Sequence, residues 1–92
     1  MKLAEVYDLV KVEVEEIISI GRTDNLALEK KAKELSKIID DKLEEIYMED
    51  KVDRDKEGHK LLRYIEEAQD VAYGRAFKVR AKLEDIDLNH EI

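Results

Sequence analysis

Apolar residues recur every three or four positions along most of this chain, and not one proline interrupts them. That period belongs to amphipathic helices, which bury one stripe and expose the rest. Residues 3–20 carry Leu3, Val6, Tyr7, Val10, Val14, Ile17 and Ile20 on one face, with Val12 and Ile18 widening it. The alternation Val10-Lys11-Val12-Glu13-Val14 would also suit a strand, but no second strand is there to pair with it. A helix is expected, with Gly21 at its C′ position and Thr23 or Asp24 capping the next one.

Residues 24–49 repeat the pattern with Leu28, Ala32, Leu35, Ile39, Leu43 and Ile46. Glu29 and Lys33 form an i,i+4 pair in the favourable order. The charged run from Glu49 to Gly58 reads as a connection, with Asp53 or Asp55 capping a third helix. Residues 56–86 hold Leu61, Ile65, Ala68, Ala72, Ala76, Val79, Leu83 and Ile86 in register. Gly74 lies inside this stripe, and with Ala68, Ala72 and Ala76 it makes a small-residue seam for close helix approach. Residues 87–92 read as a frayed tail.

The expected fold is therefore all-α and a single domain over residues 1–92, an up-down-up three-helix bundle with a long third helix. At 1.5 Å per residue the three helices would span roughly 27, 38 and 45 Å. The short first helix cannot cover the two longer ones. The uncovered apolar surface predicts dimerisation into a larger helical bundle.

Composition narrows the function. The chain has 92 residues, of which 24 are Asp or Glu and 17 are Lys or Arg, for a formal charge of −7. An acidic excess argues against general binding to a phosphate backbone. The absence of cysteine excludes disulfides, cysteine metal sites and thiol chemistry. Nothing approaches the ~18 apolar residues of a membrane span, and Glu5 interrupts any leader-like start. A cytoplasmic protein without a membrane partner is expected.

Two short stretches resemble known families. Arg54 and His59 match the Arg-x4-His spacing of the helical RNases called HEPN domains. In that family the two residues meet across subunits to cleave RNA. Here the residues between them are Asp55, Lys56, Glu57 and Gly58, and Lys60 follows where the family has a glycine and an aromatic. The run from Gly21 to Glu29 resembles the turn of small two-helix aspartyl-phosphate phosphatases that act on sporulation response regulators. Their Ser-Gln-Glu-Leu-Asp signature corresponds to Ala32-Lys33-Glu34-Leu35-Ser36, shifted by one residue and without the Ser and Asp. Ser36 and Asp40 keep the mutual spacing but not the distance from Gly21. The resemblance covers about half the chain, and the third helix has no counterpart in it.

No Glu-x-x-His pair, EF-hand spacing, phosphate loop or HExxH motif is present. Catalytic, cofactor and metal residues are thus not assigned, and Glu66, Glu67 and Asp70 are expected to face water. Arg75, Lys78 and Lys82, with Arg80 nearby, form the one local basic patch, and no acid intervenes from 74 to 83. They would pair with Glu13, Glu15 or Glu16, or else dock an acidic partner. Tyr73 and Phe77 sit among them, and aromatics beside Arg suit an interface. Tyr47 and Tyr64 are expected at core edges.

The leading expectation is a non-enzymatic protein-interaction module, a small acidic regulator, adaptor or inhibitor that is also a homodimer. Its candidate contacts are Tyr73, Arg75, Phe77, Lys78 and Lys82. A second possibility is an acidic nucleic-acid mimic presenting Glu13, Glu16, Asp40, Asp41, Glu44 and Glu45 in place of phosphates. A small phosphatase or RNase of the types above is the third.

Overall fold

The computed structural model describes residues 2–20, 25–38, 41 and 55–91. It is helical and compact, and it contains no strand among those residues. Four α-helices are described: α1 (Leu3–Asp8), α2 (Lys11–Ile20), α3 (Asn25–Ile38) and α4 (Lys56–Ala72). A single 3-10 turn follows at Leu83–Asp85. The helices α2, α3 and α4 pack pairwise on one another, and α1 packs on α2 and α4. None is long and apolar enough to cross a membrane among the described residues.

The first expected helix is two. Leu9 and Val10 donate backward over three residues, to the Val6 and Tyr7 carbonyls at 3.2 and 2.9 Å, and this tighter turn separates α1 from α2. The break falls where the β-branched series Val10, Val12, Val14 begins, the stretch least suited to a helix. The stripe survives it: Leu3, Val6, Tyr7, Val10, Val14 and Ile17 are all buried. Val12 and Ile18 are exposed, because they lie off that stripe and do not widen the core. Leu28, Ala32 and Leu35 complete the core from α3. The expected Glu29–Lys33 pair forms at 3.5 Å. Gly21, Thr23, Asp24, Ile39, Leu43, Ile46 and Tyr47 lie outside the described residues.

Asp55 caps α4. Its Oδ1 accepts the backbone N–H groups of Glu57 and Gly58, each at 3.0 Å. These are two of the four donors that a helix start leaves without a partner. Behind the cap, Leu61, Leu62, Tyr64, Ile65, Ala68, Val71 and Ala72 are buried, a broader face than the stripe alone.

The third helix then stops at Ala72, fourteen residues before the sequence pattern does. Gly74 is the cause. It takes φ 78°, a conformation that costs any residue with a Cβ. Its N–H donates to the Val71 carbonyl at 3.1 Å, and Arg75 N–H reaches back to the Asp70 carbonyl at 2.8 Å. Those two bonds are a Schellman motif, which closes a helix by satisfying its last carbonyls. Gly74 is thus a stop and takes no part in a small-residue seam. The apolar residues beyond it still turn inward: Ile86 is buried, and Ala76, Val79, Ala81, Leu83 and Leu88 pack partly against the core. The third helix expected over residues 56–86 thus does not form, and the overhang argued from its length goes with it.

The tail is not frayed. Leu3 and Ala4, at the start of α1, donate their N–H groups to the His90 and Leu88 carbonyls at 3.0 and 2.8 Å. Lys2 offers α1 no side-chain cap, so the far end of the chain supplies the acceptors. An isolated antiparallel bridge joins Lys2 to Glu91.

Candidate interaction surface

Acidic side chains of α4 hold the returning segment in place. Glu67 Oε2 accepts the Ala81 N–H at 2.7 Å, and Glu57 Oε2 accepts the Asp87 N–H at 3.0 Å. Glu67 therefore does not simply face water, since the chain beyond Gly74 lies over it. Asp55 Oδ2 meets His90 Nε2 at 2.7 Å while its other oxygen caps the helix. The Gly58 N–H and His90 both stabilise the Asp55 carboxylate and hold its pKa down. The same hydrogen bond, donated by the His90 ring to Asp55, raises the pKa of His90. Glu57 is lowered by the Asp87 N–H first and by Lys60 next.

Residues 73–82 are thus fastened at both ends, by the Schellman motif on one side and the Glu67–Ala81 bond on the other. Tyr73 Oη lies 2.9 Å from Ser36 Oγ, which in turn accepts from Gln69 Nε2 at 2.7 Å. The Arg75 guanidinium stacks over the Tyr73 ring, 4.9 Å from its centroid, and pairs with Asp70 at 3.5 Å. Phe77 stands at the middle of the loop with 86% of its surface exposed. Lys78, Arg80 and Lys82 are exposed, and none forms an ion pair with a described residue.

Phe77 and Lys78 separate two depressions. One is a largely apolar groove of ≈ 160 Å³ walled also by Ile17, Ile18, Val71 and Val79. The other is a wider cleft of mixed polarity, ≈ 490 Å³, against Glu67, Asp70, Arg75, Ala76 and Arg80. The five candidate contacts Tyr73, Arg75, Phe77, Lys78 and Lys82 therefore share one continuous stretch of irregular chain. No helix runs there, although the apolar period predicts one over residues 56–86. The walls Ile17, Ile18, Val71 and Val79 could not be selected from sequence, since only the stop at Gly74 brings Val79 back beside α2.

The pairing of the basic patch with helix-one acids does not form. Glu16 instead pairs with Lys31 of α3, which also holds Glu34 at 3.1 Å. The Glu16 hydrogen bond is the main reason the Lys31 pKa is raised. Of the candidate acidic surface, Glu13 and Glu16 are half-buried and Asp41 is exposed, while Asp40, Glu44 and Glu45 lie outside the described residues. Arg54 also lies outside them. His59 is exposed on α4, beside Arg63, Glu66, Glu67 and Asp70. Among the described residues no group of three His, Asp or Glu side chains could hold a metal ion.

Tyr7 and Tyr64 meet within the core, ring centroids 6.2 Å apart. Tyr64 is buried, deeper than a core edge. The Tyr7 hydroxyl is buried without a hydrogen-bond partner among the described residues. Burial, and then the neighbouring Tyr64, push its pKa up to about 12. It stays protonated at any ordinary pH.

Comparison with protein-family models, with curated proteins and with solved structures finds no match to this chain.

Proposed function

We propose that this chain is a non-enzymatic protein-interaction module, a small acidic regulator, adaptor or inhibitor, whose contact surface is the loop of residues 73–82. The observation that carries the proposal is Phe77. An aromatic ring 86% exposed costs solubility, and here it sits on a loop held by backbone bonds at both ends. Such a loop has already lost much of the ordering entropy that association would otherwise demand. An exposed aromatic flanked by Arg is also the composition of an interface hot spot. Ser36, the hydroxyl of the phosphatase-like reading, is engaged by Tyr73 and Gln69, which further favours a structural over a catalytic role for it.

A second copy of the chain is one partner this surface could take, and the homodimer is retained as part of the proposal. Its support is now the exposed set Val12, Ile18, Phe77 and Tyr73 instead of an overhanging helix. The test places a photo-reactive phenylalanine analogue at position 77 and cross-links in living cells. A discrete adduct, either a dimer of the chain or one with another protein, is expected. Cross-linking from position 77 no stronger than from Glu29, on exposed α3 surface, would remove the loop from the contact.

A further inference from the structure

We infer that the loop and its apolar groove receive an acidic peptide segment carrying one apolar anchor, with the anchor seated beside Phe77 and flanking carboxylates on Lys78 and Arg80. This inference rests on the interaction reading above and names the chemistry of the partner. Three features converge on it. The groove between Ile17, Ile18, Val71 and Val79 measures ≈ 160 Å³, well short of the about 300–1,000 Å³ typical of small-molecule pockets. It has room for one side chain. Lys78 lines this groove and Arg80 lines the adjoining cleft, both exposed and without an ion-pair partner among the described residues, whereas Arg75 beside them is held by Asp70. No acid occurs from residue 74 to 83 in a chain whose net charge is −7. The patch is a local reversal of the molecule's sign, which gives an acidic ligand a place to settle.

The occupant is a short protein segment and not a nucleic acid. Affinity for a polyanion grows with the number of phosphates neutralised along its length. A few cations on an acidic molecule neutralise few phosphates and repel the rest. A peptide short enough to lie on the patch feels mainly the charges within about 8 Å, the screening length at physiological salt.

The experiment titrates the full chain into a fluorescein-labelled peptide of Asp and Glu around one central Leu, followed by anisotropy. Saturable binding is expected. It should weaken about tenfold in the double variant K78E/R80E, by an amount typical of lost charge complementarity at an interface. Replacing the central Leu by Ser should weaken it similarly. Both substituted side chains are exposed, so far-UV circular dichroism should be unchanged. Salt titration of the unaltered chain provides a test that needs no variant, and affinity should fall as salt rises. The inference is overturned if a Lys-for-acid peptide or an oligothymidylate binds as tightly, if the double variant binds equally well, or if salt has no effect. A position-77 cross-link to a segment without acidic residues would overturn this inference and leave the interaction reading intact. Loss of both the cross-link and the peptide binding would overturn both.

Discussion

Residues 61–72 and residues 73–86 carry the same apolar period, yet only the first run is a helix. In the first, Leu61, Ile65, Ala68 and Ala72 are all buried on one face of α4. In the second, Ala76, Val79 and Leu83 are partly buried and Ile86 fully so, but an irregular backbone carries them there. The comparison teaches that periodicity selects which residues turn inward without selecting the backbone that turns them. A glycine at positive φ, followed by two Schellman bonds, outweighs about three turns of favourable pattern. The reversed chain then recovers its polar bonds from Glu67, Glu57 and Asp55 on the very helix it left.

The largest effect should come from the helical half. Leu61→Ala empties a fully buried site and should cost ~2–5 kcal/mol, while Val79→Ala in the irregular half should cost under ~1.5 kcal/mol. Urea denaturation measures both. Equal losses would mean that the two halves are packed alike and that the comparison fails.

Gly74→Val tests the stop itself. A β-branched residue held at φ 78° should destabilise by ~1–2 kcal/mol, with no gain in helical ellipticity at 222 nm. A rise in ellipticity would show that glycine alone keeps residues 73–86 from continuing α4, and that the acid–backbone bonds are secondary. In the helix just before it, Ala72→Leu should overpack and cost ~1–3 kcal/mol.

Glu67→Ala should cost ~1 kcal/mol by stranding the Ala81 N–H, at the low end for bonds to a charged group because the carboxylate is partly exposed. Glu67→Gln retains an acceptor and should lose less. Similar losses in both variants would place the effect elsewhere than at that bond.

The smallest effect is pH-dependent. The raised pKa of His90 means that its charged contact with Asp55 contributes fully below the ordinary value of 6.5 and is lost as pH rises through the raised value. The lowered pKa of Asp55 means that its contribution is present above the ordinary 3.8 and is lost as pH falls through the lowered value. The stability difference between the natural chain and His90→Gln should therefore be greatest between those limits and shrink on the alkaline side. A difference constant from pH 5 to pH 9 would separate the tail from the titration of His90.

Much of the architecture was legible beforehand. The buried stripes in 3–17 and 28–35, and Leu61, Ile65, Ala68 and Ala72 in α4, follow from period, because a helix has one face and water excludes the apolar one, while Leu62, Tyr64 and Val71 are buried beyond it. A cap at Asp53 or Asp55 followed from an acid just ahead of an apolar run, and the structure has it at Asp55. Gly74 is visible in the sequence too, but the apolar stripe continues past it, whereas at Gly21 the stripe pauses and the same residue type reads as a terminator. The residues Tyr73, Arg75, Phe77, Lys78 and Lys82 are neighbours in sequence on any backbone, and the structure carries them on an irregular loop in place of the expected helix.

The sequence by itself determined that this chain is helical, which stripes of side chains supply most of its core and where its charge reverses sign. These depend on local propensity and on the sorting of side chains between water and the interior, both of which act residue by residue. Only the tertiary structure decided that α4 ends at Ala72, that the tail caps α1, and that Val79 returns to wall a groove with Ile17 and Ile18. Each of those rests on bonds between residues far apart in the chain, Leu3 with His90 and Glu67 with Ala81 among them, and no local pattern encodes which distant donor will meet which acceptor.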